Sequence, residues 1–120
     1  MAARRVPHGF LWETMSGKDY RDLVEDLAVP YRSRTALWRL VAEHDAASAA
    51  IRDGLVHASP VVRARCCEVI DQAGIAEELP ELFGLLNDDD ATVRFWAGHA
   101  LSCERCKRRG QRMRASTSQV

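Results

Sequence analysis

Long apolar runs are missing from this sequence. No stretch approaches the ~20 apolar residues that a membrane-spanning helix requires. Residues 1–16 carry Arg4 and Arg5 but no apolar run of signal-peptide length. A surplus of charge is missing too. Seventeen Lys and Arg face seventeen Asp and Glu, so overall charge selects neither nucleic acid nor a membrane surface as partner. Glycine is scarce, at 7 of 120 residues, and no glycine-rich phosphate loop is present. Neither G-x-S-x-G nor H-E-x-x-H occurs, so these enzyme templates have nothing to rest on. Four cysteines without a secretory signal imply reduced thiols and a cytoplasmic setting rather than disulfides.

A threefold internal repeat is present. Ser59-Pro60-Val61-Val62-Arg63-Ala64-Arg65-Cys66 has an echo at Asp90-Ala91-Thr92-Val93-Arg94-Phe95-Trp96-Ala97. The two arginines, Arg63 and Arg94, are 31 positions apart, and one further step back reaches Arg32. Each copy reads bulky residue, Arg, two variable residues, small residue. A fixed period of this length is the signature of a repeat architecture.

The local pattern is helical throughout. Tyr20, Leu23, Val24 and Leu27 follow the i, i+3, i+4, i+7 rule and predict a helix over 18–28. Pro30 separates it from a second, over 31–44. Asp45 is an expected N-cap for a third, reaching Val56. Ser59-Pro60 starts a fourth, and Gly74 stops it. A fifth is expected over 75–86, shortened or kinked at Pro80. Asp90 caps a sixth that runs from Ala91 to about Cys106–Arg109. The chain therefore divides into a flexible extension over 1–16, a helical repeat domain over 17–109 and a polar basic tail over 110–120. Met15 is an alternative start, since Ser16-Gly17-Lys18-Asp19 has the form of a capping box. By period, the expected core columns are Tyr31, Val62, Val93; Thr35, Cys66, Ala97; Trp38, Val69, Ala100; and Val24, Leu55, Leu86.

The run Leu85-Leu86-Asn87-Asp88-Asp89-Asp90-Ala91-Thr92-Val93-Arg94 resembles the HEAT repeat in its short bacterial, phycobilisome-lyase form. The resemblance covers about residues 18–106. It implies an all-α, right-handed α-solenoid of three helix pairs. It also implies that turn acids and repeat arginines tie neighbouring repeats together, through Asp26, Arg32, Arg63, Asp88 and Arg94. His57 takes the acid's place in the middle copy. HEAT-type hydroxylases bind iron through His-Glu pairs; here Glu43-His44 is reversed and single. No residue lets the lyase activity be carried over.

Such arrays imply a concave face built by the second helix of each pair. In register there are Arg34, Arg65 and Trp96, then Leu37, Glu68 and His99. A protein partner on that face is the expected function, with no enzymatic activity and no cofactor. Two other readings use overlapping residues. Arg34, Arg65, Trp96 and the basic tail could hold nucleic acid through phosphate contact and base stacking. His99, Cys103 and Cys106, at i, i+4 and i+7, could begin a zinc site, although a structural site wants four ligands. Incompletely capped end repeats would favour self-association; Trp12, Tyr20 and the tail are the expected caps.

Overall fold

The computed structural model describes residues 17–76 and 79–102. Among them are six α-helices and no strand. They are α1 (Gly17–Asp26), α2 (Ser33–Ala42), α3 (Ser48–Gly54), α4 (Pro60–Ala73), α5 (Glu81–Gly84) and α6 (Ala91–Ser102). A 3-10 turn over Leu85–Asn87 prolongs α5. The helices form three consecutive pairs, α1–α2, α3–α4 and α5–α6. Within the array, α4 packs on both α2 and α6, and α1 packs on α2 and α3. The extension with Met15 and Trp12, the capping box at Ser16, the end of the last helix and the basic tail lie outside the described residues.

The helix ends follow from their side chains. Ser59 sits in extended backbone, and its Oγ accepts the Val62 N–H at 3.4 Å, with Pro60 as the first helical residue. Gly74 closes α4 at φ 70°, a conformation open to glycine at little cost. Its N–H bonds to the Asp71 carbonyl and the Ile75 N–H bonds to that of Ile70, the paired closure of a Schellman turn. Asp90 Oδ1 accepts from the Thr92 and Val93 N–H groups at 2.9 and 3.1 Å and so starts α6. Two boundaries differ from the sequence expectation. α3 begins at Ser48, not after Asp45, whose carboxylate is exposed and lies 3.4 Å from His44 Nδ1. The fifth helix begins only after Pro80. Proline has no N–H to donate and its ring clashes with the preceding turn, so the helix starts where the proline can stand first.

The core is one continuous apolar cluster running through all three pairs. In the second and third pairs the expected columns hold: Val62, Cys66, Val69, Val93, Ala97 and Ala100 are all 2% exposed or less. Val24 and Leu55 are buried as well. The first pair departs. Tyr31 is 83% exposed, Trp38 is 46% exposed and Thr35 faces solvent. Ala36, Leu37 and Leu40 are buried instead. These stand 30 positions before Cys66, Cys67 and Ile70, not 31. One residue turns a helix face by about 100°, so the slip exchanges core for surface. The cause is local: α2 starts at Ser33, leaving Arg32 at the N-cap position, whereas Arg63 and Arg94 lie inside their helices. Leu86 also departs, being exposed in the terminal 3-10 turn with no following repeat among the described residues.

The small residues of the core set how near the helices can lie. A Cβ on Gly54 would stand 2.4 Å from Cys66 Sγ and 3.1 Å from Val24 Cγ1. Gly54→Ala should therefore lower stability by roughly 1–3 kcal/mol through overpacking, despite the better helix propensity of alanine. Thermal and urea unfolding measure this. If Gly54→Ala matches or exceeds the wild type, the close approach of α3 to α4 is not a constraint.

Candidate interaction surface

The turns between paired helices carry the repeat arginines. Arg63 Nη1 donates to the carbonyls of His57 and Ala58 at 2.7 and 3.1 Å, in the turn of its own repeat. Its Nε and Nη2 donate to both oxygens of Asp88 at 2.9 Å each, in the turn of the next repeat. The fork is mostly buried, at 16% and 9% side-chain exposure. This bidentate hydrogen bonding holds the Asp88 carboxyl below the usual carboxylate range. Asp88 Oδ1 also accepts the Asp90 N–H at 2.9 Å. Arg94 repeats the first half of the pattern, donating to the carbonyls of Asp88 and Asp89 at 2.6 and 3.2 Å.

The first junction is built differently. Arg32 lies 3.5 Å from Asp26 and 5.8 Å from the Tyr31 ring centre, both within its own repeat, with its side chain 57% exposed. It does not tie two repeats, contrary to expectation, because the late start of α2 leaves it outside the helix. His57 takes over. Its Nδ1 accepts the Ser59 N–H at 2.9 Å, the task Asp88 Oδ1 performs for Asp90. Its Nε2 lies 2.8 Å from Glu25 Oε2 in the preceding repeat. With Nδ1 as acceptor, the network assigns the proton to Nε2. The acid's place is thus filled by a donor that finds an acid one repeat back.

The helices α2, α4 and α6 pack side by side, and four of the six residues singled out by register, Arg34, Leu37, Arg65 and Glu68, come together at one cavity, with Trp96 at the next. The first cavity, of about 240 Å³, is lined by Pro30, Ser33, Arg34, Leu37, Arg65 and Glu68. The next, of about 230 Å³, has Val61, Ala64, Arg65, Asp90 and Trp96 among its walls. Arg65 belongs to both and donates to Glu68 at 2.8 Å. Leu37 is 7% exposed. The one-residue slip of α2 moves it from the open face into the core, where it forms cavity wall. Trp96 and Arg65 are part-exposed, and Arg34 is exposed.

His99 stands apart from both cavities. Its ring stacks near Phe95 at 5.9 Å and meets Trp96 edge-on at 5.3 Å. Its Nδ1 lies 3.2 Å from Oδ2 of Asp71, a core aspartate on α4. The other two zinc candidates, Cys103 and Cys106, lie outside the described residues. Among the described residues no group of three or more His, Cys, Asp or Glu is gathered to hold a metal ion. Cys66 and Cys67 are free and buried in the core. Burial pushes both thiols up, Cys67 to about 12, so neither is a thiolate near neutral pH.

Several ties escaped the sequence reading. Arg21 pairs with Asp53 at 2.7 Å between α1 and α3, and Arg52 with Glu81 at 3.3 Å between α3 and α5. Arg21 and Arg52 are one period apart, and that signal could have found them. Tyr20 donates to Glu43 at 2.6 Å, and Arg39 pairs with the same carboxylate. Glu43 is thereby held below its ordinary range, by Tyr20 first and then Arg39.

A sequence profile of HEAT repeats matches residues 34–114, which is more than half of the chain. It does not single out the phycobilisome-lyase form. Comparison with curated proteins and with solved structures returned no significant match.

Removing the inter-repeat fork tests its structural role. Arg63→Ala is expected to cost roughly 2 kcal/mol, the scale of hydrogen bonds to charged groups. The pH dependence has a definite sign. Asp88 is more acidic in the fold than in the unfolded chain, so its contribution is complete above the usual carboxylate range and is lost as pH falls through the lowered value. Urea midpoints should drop between about pH 5 and pH 2, and Asp88→Asn should show a lower plateau and a shallower drop. Parallel wild-type and Asp88→Asn curves would mean the fork contributes no pH-linked stability.

Proposed function

We propose that this chain, which belongs to the HEAT-repeat family, is a non-enzymatic interaction module that binds a protein on the face of α2, α4 and α6. HEAT repeats in general mediate protein–protein interaction. The observation that carries the reading is the pair of adjoining cavities sharing Arg65, with Arg34 at one end and Trp96 at the other. Arginine and tryptophan are among the residue types that dominate binding energy once an interface has desolvated them. Trp38, 46% exposed and one helical turn beyond Arg34, extends the same side of α2.

The nucleic-acid reading uses the same Arg34, Arg65 and Trp96. Glu68 and Asp90 weigh against it, since each places a carboxylate in the wall of one cavity. A phosphodiester strand would lay successive negative charges across both. No helix among the described residues is long and apolar enough to cross a membrane.

The test is recovery of partners from native lysate on the tagged full chain, with and without nuclease, using wild type, Arg34→Glu, Trp96→Ala and Arg21→Ala. A reproducible protein that is retained by Arg21→Ala and reduced at least several-fold by the two face variants is the expected result. Recovery unchanged by the face variants, or nuclease-sensitive material alone, would sink the proposal.

A further inference from the structure

The two cavities differ in chemistry, and the difference specifies a ligand. Eight arginines fall among the described residues. Arg21, Arg32, Arg39, Arg52, Arg63 and Arg65 each pair with a carboxylate. Arg94 is held by two turn carbonyls. Arg34 is the exception: among the described residues it has no hydrogen bond or ion pair. It stands at the first cavity with Arg65, which gives one nitrogen to Glu68 and keeps further N–H donors. Two guanidinium groups against one carboxylate leave this cavity one positive charge in excess.

The second cavity is set for an apolar group. Val61, Ala64 and Trp96 supply its apolar wall, and Val61 is 49% exposed. Its two charged residues, Arg65 and Asp90, balance, and Asp90 already spends Oδ1 on the Thr92 and Val93 N–H groups, so this cavity has no excess positive charge to draw a carboxylate. The polarity of the face is therefore fixed: anion between α2 and α4, apolar group between α4 and α6.

One helix separates the two cavities, which places them about 8–10 Å apart. An extended chain advances about 3.3 Å per residue, so about three residues span the gap. We infer that this face takes an extended peptide segment bearing a carboxylate side chain and, about three positions away, an apolar or aromatic side chain. The carboxylate lies between Arg34 and Arg65, and the apolar group lies against Val61 and Trp96. The inference rests on the protein-binding reading of the same face. It adds the chemistry of the segment and the spacing of its two anchors.

A display selection tests it, with a library of random nine-residue peptides panned on the tagged full chain. Enriched peptides are synthesised with a fluorophore and titrated by anisotropy, with a twelve-residue oligothymidine as the nucleic-acid probe. The expected result is an acid and an apolar residue two to four positions apart in the enriched set. Affinity should fall at least tenfold with Arg34→Ala and with Trp96→Ala, and stay within twofold with Arg21→Ala. Exchanging the peptide's acid for its amide should cost a similar factor on wild type and little on Arg34→Ala. Peptides that need Trp96 but not Arg34, with no acid–apolar spacing, would overturn this inference and leave the face reading standing. Peptides indifferent to both face variants, or no enrichment at all, would overturn both. Tight oligothymidine binding that Arg34→Ala removes, with no peptide binding, would also overturn both. Circular dichroism of each variant checks that lost affinity is not lost fold.

Discussion

The arrangement turns on the Arg63 guanidinium, which is satisfied on two sides at once. One nitrogen closes the turn of its own repeat by holding the carbonyls of His57 and Ala58, and the other two grip both oxygens of Asp88 in the next. A backbone turn buried without partners is costly, and a buried charge without a partner is more so. Here each problem answers the other. The fork ties the turn that leads into α6 to the first turn of α4, and the cavity between Val61 and Trp96 lies beside that junction.

The same logic explains why the first junction is looser. With His57 where an acid would stand, Arg32 pairs with Asp26 in its own repeat, and Glu25 supplies the inter-repeat link from the opposite direction. Glu25 is well exposed, so this pair stabilises less than the fork at Arg63. The array is thus tied more firmly at its second junction than at its first. The first cavity, with its spare Arg34, lies at the looser junction, where a ligand's carboxylate would add a tie that the fold itself does not supply.

Much of the fold was legible because apolar periodicity and repeat spacing agreed over the second and third pairs. Val62 with Val93, Cys66 with Ala97 and Val69 with Ala100 were placed correctly from spacing alone. The first pair was misread because Arg32 matched the motif while its surroundings did not. Tyr31 and Trp38 are large and apolar, so they fitted the expected columns, and nothing local announced that α2 begins late. The slip sets Arg34 level with Ala64 rather than Arg65, yet Arg34 still lines the first cavity with Arg65, whereas Leu37 turns into the core. Pairings such as Glu25 with His57 and Asp71 with His99 join distant residues without a local spacing rule.

The claim most worth testing is that the chain meets its protein partner on the face of α2, α4 and α6. A photoreactive amino acid placed at Val61, or at Phe83 on α5, and irradiated in native lysate tests this directly. Both positions are well exposed, so solvent access alone does not separate them. The account predicts a discrete protein adduct at Val61 and none at Phe83. An adduct at Phe83 with nothing at Val61 would contradict it and move the binding surface to the first helices of the pairs.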